Sequence, residues 1–204
     1  MNSHFMKTIL KPFRAGWSRA SSLWLMLALL PILTAGCAGT FQEVRALAPG
    51  RPPAERPTVL VLGEVRIADD TVTATDKEVY RLKIQEGIQA WFAKTNLFAS
   101  VVLSTNEVGL RSIVLSGTVS EVNKGSEAER FWVGMGAGQA RIQGKFEIKD
   151  AAGQSLTRFT ARRSYLGGLG IGGAGMINMD ELASRLGETV AETVTKWLQG
   201  QKVD

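Results

Sequence analysis

The 204 residues include one cysteine, one histidine and two tyrosines, and the first two of these scarcities exclude a good deal of chemistry. Cys37 alone cannot close an intramolecular disulfide. His4 lies in an N-terminal stretch expected to be removed. Histidine-based triads, His or Cys metal sites and any cofactor held by them are therefore not expected in the mature chain. A standard transmembrane helix is also missing, because the apolar run at 23–33 falls well short of the roughly 20 residues needed to span a bilayer and contains Pro31. An excess of one charge sign is absent where it would matter. The chain carries +5 overall, but Lys7, Lys11, Arg14 and Arg19 lie in residues 1–36, which hold no acid. Residues 37–204 keep 20 basic and 19 acidic side chains. No nucleic-acid partner is expected from so balanced a body. What is present is a 45% apolar composition, enough for one folded domain.

The N-terminal order is a basic region, an apolar run and the small residues Thr34, Ala35 and Gly36, followed at once by Cys37. It reads as an export signal over 1–36. Leu33-Thr34-Ala35-Gly36-Cys37 resembles the lipobox of bacterial lipoprotein precursors, with Thr34 where that signal most often has Leu. The resemblance implies cleavage before Cys37 and diacylglyceride on its thiol, so a membrane is the first expected partner, reached through lipid rather than a spanning segment. Ala38 after the cysteine is similar to the sorting pattern of outer-membrane lipoproteins, which implies the inner leaflet of that membrane and a periplasm-facing body.

Residues 37–57 hold Pro49, Gly50, Pro52, Pro53 and Pro57 and read as an acylated N-terminus and flexible tether. A single domain is expected over 58–200. Val59, Leu60, Val61 and Leu62 form a short apolar run that fits a buried strand. A helix is expected from a capping box at Thr75-Asp76-Lys77-Glu78 to about Asn96, with Tyr80, Ile84, Ile88 and Trp91 on its apolar stripe and Leu82 and Phe92 widening it. A short strand at 100–103 follows. At 111–122, Ile113, Leu115, Gly117, Val119 and Glu121 alternate with Val114, Ser116, Thr118 and Ser120, which predicts a long strand. Strands at 139–149 and 155–165 are joined by a turn at Asp150-Ala151-Ala152-Gly153-Gln154. A last helix is capped by Asn178 or Asp180, carries Leu182, Leu186, Val190, Val194 and Trp197 on one stripe, and stops at Gly200. The fold class expected is α+β, a predominantly antiparallel sheet with two helices packed on one face.

Gly134, Gly136 and Gly138 lie in a run that no Gly-Lys-Ser/Thr follows and that leads into a strand, so no nucleotide is expected there. Glycines at a period of two bare one strand face, for packing under Trp132 within the domain or for an interface. The run 167–175 has six glycines in nine residues and reads as a connector that stays mobile unless a partner orders it, with Leu169 and Ile171 available to insert into one. Arg130, and Arg162 and Arg163 on opposite faces of a strand, complete the candidate interface residues. Glu121, Glu147 and Asp150 are the carboxylates a glycan- or lipid-acting hydrolase would recruit, and a pocket for a small hydrophobic ligand between sheet and helices is a third possibility.

The stretch Arg130-Phe131-Trp132-Val133-Gly134-Met135-Gly136-Ala137-Gly138, followed by Phe146, Asp150, Gly153, Phe159 and the second glycine run before a helix, resembles the bacterial lipoprotein family called domain of unknown function 4410. The resemblance implies an envelope α+β domain and brings no catalytic residues with it. With no nucleophile chemistry read from the residues, the function expected is a non-catalytic, lipid-anchored binding or assembly module that associates with itself or with another envelope protein.

Overall fold

The computed structural model describes residues 39–103, 108–125, 139–166 and 178–203, all within one unit, Cys37–Asp204. The strands are β1 (Gly39–Ala48), β2 (Val59–Ile67), β3 (Ser100–Val102), β4 (Ser112–Asn123), β5 (Ala140–Asp150) and β6 (Ser155–Leu166). The helices are α1 (Ala74–Thr95) and α2 (Met179–Leu198). The sheet order is β1-β6-β5-β4-β2-β3. The pairs β1–β6, β6–β5 and β5–β4 are antiparallel, whereas β2 runs parallel to both β4 and β3. This is the expected α+β class, a mostly antiparallel sheet with two mutually packed helices.

Burial follows the alternation of the strands. Leu60 and Leu62 of β2, Ile113, Leu115 and Val119 of β4, Ile142, Phe146 and Ile148 of β5, and Phe159 and Ala161 of β6 join one core with the helices. The helices supply Tyr80, Ile84, Ile88 and Phe92 from α1, and Leu182, Leu186, Val190, Val194 and Trp197 from α2. Trp91 is only partly buried, its indole donating to Thr195 Oγ1 at 3.3 Å. Leu82 does not widen the stripe: it lies on the solvent side, 45% exposed.

Glycine sets how closely the two helices approach. A Cβ on Gly87 would lie 2.0 Å from the Ser184 carbonyl oxygen, and one on Gly187 would lie 2.1 Å from that of Ile84. Each helix therefore rests its backbone against a bare spot on the other. In the sheet, the Phe146 ring lies over Gly117, its direct partner on β4, and against Gly144 on its own strand. It stacks on Phe159 with ring centroids 5.8 Å apart.

The helix ends are made locally. Asn178 accepts from the amides of Asp180 at 3.0 Å and Glu181 at 3.3 Å, as the sequence leads one to expect. Gly200, at φ 72°, closes α2: its amide donates to Trp197 O and that of Gln201 to Lys196 O. Asn96 ends α1 in the left-handed region at φ 48°. The start of α1 corrects the expectation, since the cap is Thr73, whose hydroxyl accepts from the Asp76 amide at 3.2 Å, rather than Thr75. In the β5–β6 turn, Asp150 Oδ1 accepts from Ala152 N and Gln154 N, and Gly153 takes φ 82°.

The tether expected over 37–57 is also corrected. Residues 39–48 are β1, paired along its length with β6 from Gly39↔Leu166 to Ala48↔Arg158. The connector after it is pinned as well, because the Trp197 indole donates to Gly50 O at 2.9 Å and Arg111 donates to Arg56 O at 3.2 Å. A paired strand is thus in place by Gly39, two residues after Cys37.

Asp69 ties the β2–α1 connection to β4. Its carboxylate accepts from the amide and hydroxyl of Thr71 at 2.9 and 2.6 Å, and from the Val122 amide at 2.7 Å. The Thr71 hydroxyl first, then the Val122 amide, hold this carboxyl below its usual range. A folded-state pKa depressed in this way stabilises the fold above the unfolded value, and the effect is lost as pH falls through the lower folded one. Asp69→Asn is expected to cost about 1 kcal/mol at neutral pH. The gap to wild type should shrink once the pH drops below about 4, as urea unfolding at neutral and acidic pH would show.

Candidate binding face

The helices cover one face of the sheet and leave the other mostly polar, apart from the paired Val61 and Val114 on β2 and β4. On β5, Arg141, Gln143, Lys145, Glu147 and Lys149 alternate with core residues, and on β6 Arg158, Thr160 and Arg162 do the same. The register aligns these side chains into cross-strand rows. One row runs Arg45–Thr160–Lys145–Thr118–Arg66, from β1 through β6, β5 and β4 to β2. At about 4.8 Å per strand, its three cations stand roughly 10 Å apart with a threonine hydroxyl between neighbours.

The acids on this face are mostly spent. Glu43 pairs with Arg162 across β1 and β6, Glu121 with Arg141 at 3.2 Å, and Glu147 with Lys149 at 3.4 Å. A hydrogen bond from Ser155, ahead of the Lys149 contacts, holds the Glu147 carboxyl below its usual range. Arg45, Lys145 and Arg66 are exposed and have no ion pair among the described residues. The middle of the face sinks into an open cleft of about 500 Å³, with Arg66, Lys145 and Arg158 as basic groups, Glu64 and Glu147 as acidic ones and Leu47 at its β1 side.

The two ends of the sheet differ from its face. β1 is the outermost strand on one side, ten residues long and without a further strand partner among the described residues, with Phe41 52% and Leu47 48% exposed. The opposite edge, β3, is three residues long, and beyond it Leu103 is 57% and Leu110 fully exposed.

Of the residues expected to carry function, Cys37, Arg130, Trp132, Gly134, Gly136, Gly138, Leu169 and Ile171 lie outside the described residues. Arg162 and Arg163 do point to opposite faces. Arg162 meets Glu43 on the open face, while Arg163 reaches under α2, its Nε donating to Thr189 Oγ1 at 2.6 Å and to Arg185 O at 3.3 Å. Burial, and then the charge of Arg185, pull the Arg163 guanidinium below the usual arginine range.

The hydrolase carboxylates are not brought together. Glu121 faces Gln143, Glu147 lies four residues farther along β5, about 13 Å by strand rise, and Asp150 is occupied by turn amides. The register shift between Val119 and Glu121 also moves Glu121 off the face of Ile113 and Leu115, where simple alternation puts it, and brings Val122 into the core instead. The space under the helices is filled by Phe92, Phe146, Phe159 and their neighbours. The cavity found on that side, about 140 Å³ between β1 and α2, is lined mainly by polar groups such as Thr193, Glu192 and Lys196, which suits no apolar ligand. No group of three or more His, Cys, Asp or Glu among the described residues is placed to hold a metal ion. None of the described helices is long and apolar enough to cross a membrane.

Residues 70–168 match the family described as Domain of unknown function (DUF4410). No curated protein matches the sequence. Among solved structures, the chain is similar to the PelC dodecamer from Paraburkholderia phytofirmans at 15% identity and a TM-score of 0.50, over 79% of this chain and 99% of that one. It is similar to a minor lipoprotein from Acinetobacter baumannii at 15% identity and a TM-score of 0.37, over 72% and 95%. At this level of identity, the PelC likeness shows a shared fold.

Proposed function

We propose that this chain, whose residues 70–168 match the DUF4410 family, is a non-catalytic assembly module of the bacterial envelope, anchored by lipid on Cys37 and joined to copies of itself. The observation that carries the reading is β1, a long strand that begins two residues after the cysteine and whose outer edge has no strand partner among the described residues. Two residues span at most about 7 Å, so acyl chains on Cys37 would hold the sheet edge against the headgroups instead of on a long tether. The sorting residue Ala38 supports the outer membrane and a periplasm-facing body.

An unpaired edge with exposed Phe41 and Leu47 is a template for another strand. The opposite edge offers Leu103 and Leu110, so two different apolar patches lie at the two ends of one sheet. A head-to-tail contact between them repeats from copy to copy and closes into a ring when the rotation allows. That PelC, with the same fold, forms a dodecamer supports such a repeating assembly.

Intact-mass measurement of protein taken from its own membrane is expected to show a chain starting at acylated Cys37; retention of residues 1–36 with a free thiol would overturn the anchor. Native mass spectrometry of the detergent extract is expected to show a multimer, which Phe41→Glu or Leu110→Glu reduces to monomer at unchanged circular dichroism. A wild-type monomer would remove the assembly reading and leave the anchor standing.

A further inference from the structure

The proposed assembly uses the edges of the sheet and leaves the row Arg45–Thr160–Lys145–Thr118–Arg66 on its open face without a task. We propose that this face binds a linear carboxylated glycan, with carboxylates against Arg45, Lys145 and Arg66 and sugar hydroxyls against Thr160 and Thr118.

Charge is the first argument. Three of the four acids on the face are neutralised by partners outside the row, Glu43 by Arg162, Glu121 by Arg141 and Glu147 by Lys149, while the row itself contains no acid. Glu64 is the exception, on the β2 wall beside Arg66, and it disfavours anions at that end. The strongest attraction therefore falls between Lys145 and Arg45, with Arg158 adding to it from the neighbouring row.

Shape is the second. Cations every second strand, about 10 Å apart, suit a ligand whose anions repeat along a line better than one compact anion. The cleft of about 500 Å³ is open rather than enclosed, so a chain can lie across it.

The hydroxyls decide the class of polymer. Thr160 Oγ1 already donates to Arg45 O at 3.3 Å, so what it offers a ligand is an acceptor. A sugar hydroxyl can donate to it. A polyphosphate carries anions and no donor, and would leave the Thr160 acceptor unused. A chain of uronate sugars, one carboxylate per ring with hydroxyls between, reproduces the alternation of the row.

The cations are exposed, so each contact is individually weak and affinity comes from several acting together. It must then fall with salt.

The full mature protein in detergent is tested against polygalacturonate, neutral dextran and polyphosphate by isothermal titration calorimetry. Binding to polygalacturonate, its loss at about 0.5 M salt, and no binding to dextran are expected. The triple variant Arg45→Ala, Lys145→Ala, Arg66→Ala should weaken binding about tenfold or more, with Lys145→Arg staying near wild type. Thr160→Val should weaken polygalacturonate binding alone. These substitutions sit on solvent, and unchanged thermal melting confirms that they leave the fold intact. Absence of polygalacturonate binding, or a triple variant that binds as wild type, would overturn the proposal. Polyphosphate binding as tight as polygalacturonate and indifferent to Thr160→Val would overturn the glycan assignment.

Discussion

Gly187→Val is expected to lower the unfolding free energy by about 3 kcal/mol and the melting temperature by roughly 6–12 °C. A side chain at this position has nowhere to go, because the atom it meets is the Ile84 carbonyl of the facing helix, 2.1 Å from where a Cβ would stand. Backbone cannot rotate aside as a side chain can, so α1 and α2 must separate and loosen the contacts of Ile84, Ile88, Leu186 and Val190 with the core. Gly187→Ala separates two influences of opposite sign: alanine gains about 1 kcal/mol of helix propensity over glycine, yet its methyl still collides. It is expected to be destabilising by less than valine. Gly87 makes the reciprocal approach to Ser184 O at 2.0 Å, so once one substitution has parted the helices the second costs little more. Thermal melts of the single and double variants would show this, and a wild-type melting temperature for Gly187→Val would mean that the helices do not pack backbone to backbone.

Phe146→Ala is expected to cost about 3–5 kcal/mol, measured by urea unfolding. The ring is 2% exposed, stacks on Phe159 and covers two glycines, so its removal leaves a hole that glycine cannot fill from either side. Gly117→Val gives the test its sign. In the wild-type background the new Cβ would stand 2.4 Å from the Phe146 ring and destabilise; combined with Phe146→Ala the same substitution refills the space and recovers part of the loss. Valine in place of Gly117 that is harmful in both backgrounds would show that the ring does not lie over this glycine.

Much of the fold was legible because its signals are local. The stripe Leu182, Leu186, Val190, Val194 and Trp197 needed only the helical period to be read, and all five are buried. Asn178, Gly200 and the Asp150–Gln154 turn declare themselves by side chains that bond their own backbone neighbourhood. The start of the first helix is misread from sequence, because Thr75 has the spacing of a capping box with Glu78 and presents itself as the cap. The structure caps the helix with Thr73 instead, in a segment that Asp69 holds against β4.

The edge strand β1 escaped detection because it sits at the rim. Among its residues Val44 packs against the core, so there is little apolar alternation to find, and its prolines and glycine lie just beyond it. Its evidence lay elsewhere in the chain, in the free edge of β6 and in the Trp197 indole that holds Gly50. The cationic row was hidden for the same reason. Each strand shows a polar face, yet nothing within β1, β2 or β5 says that Arg45, Arg66 and Lys145 fall on one line; register says it, and register belongs to pairs of strands.

The sequence by itself determined what depends on neighbours within a few residues: the export signal and lipobox pattern as readings, the stripe and caps of the last helix and the hairpin turn, and through them the fold class. Only the tertiary structure decided what depends on contacts between distant segments: that residues 39–48 join the sheet, that β2 runs parallel to its neighbours, that two glycines let the helices touch, that a bulge turns Glu121 outward, and which charges line up. Hydrogen-bond pairing and close packing act across space, so their outcome is written in no single stretch of the chain.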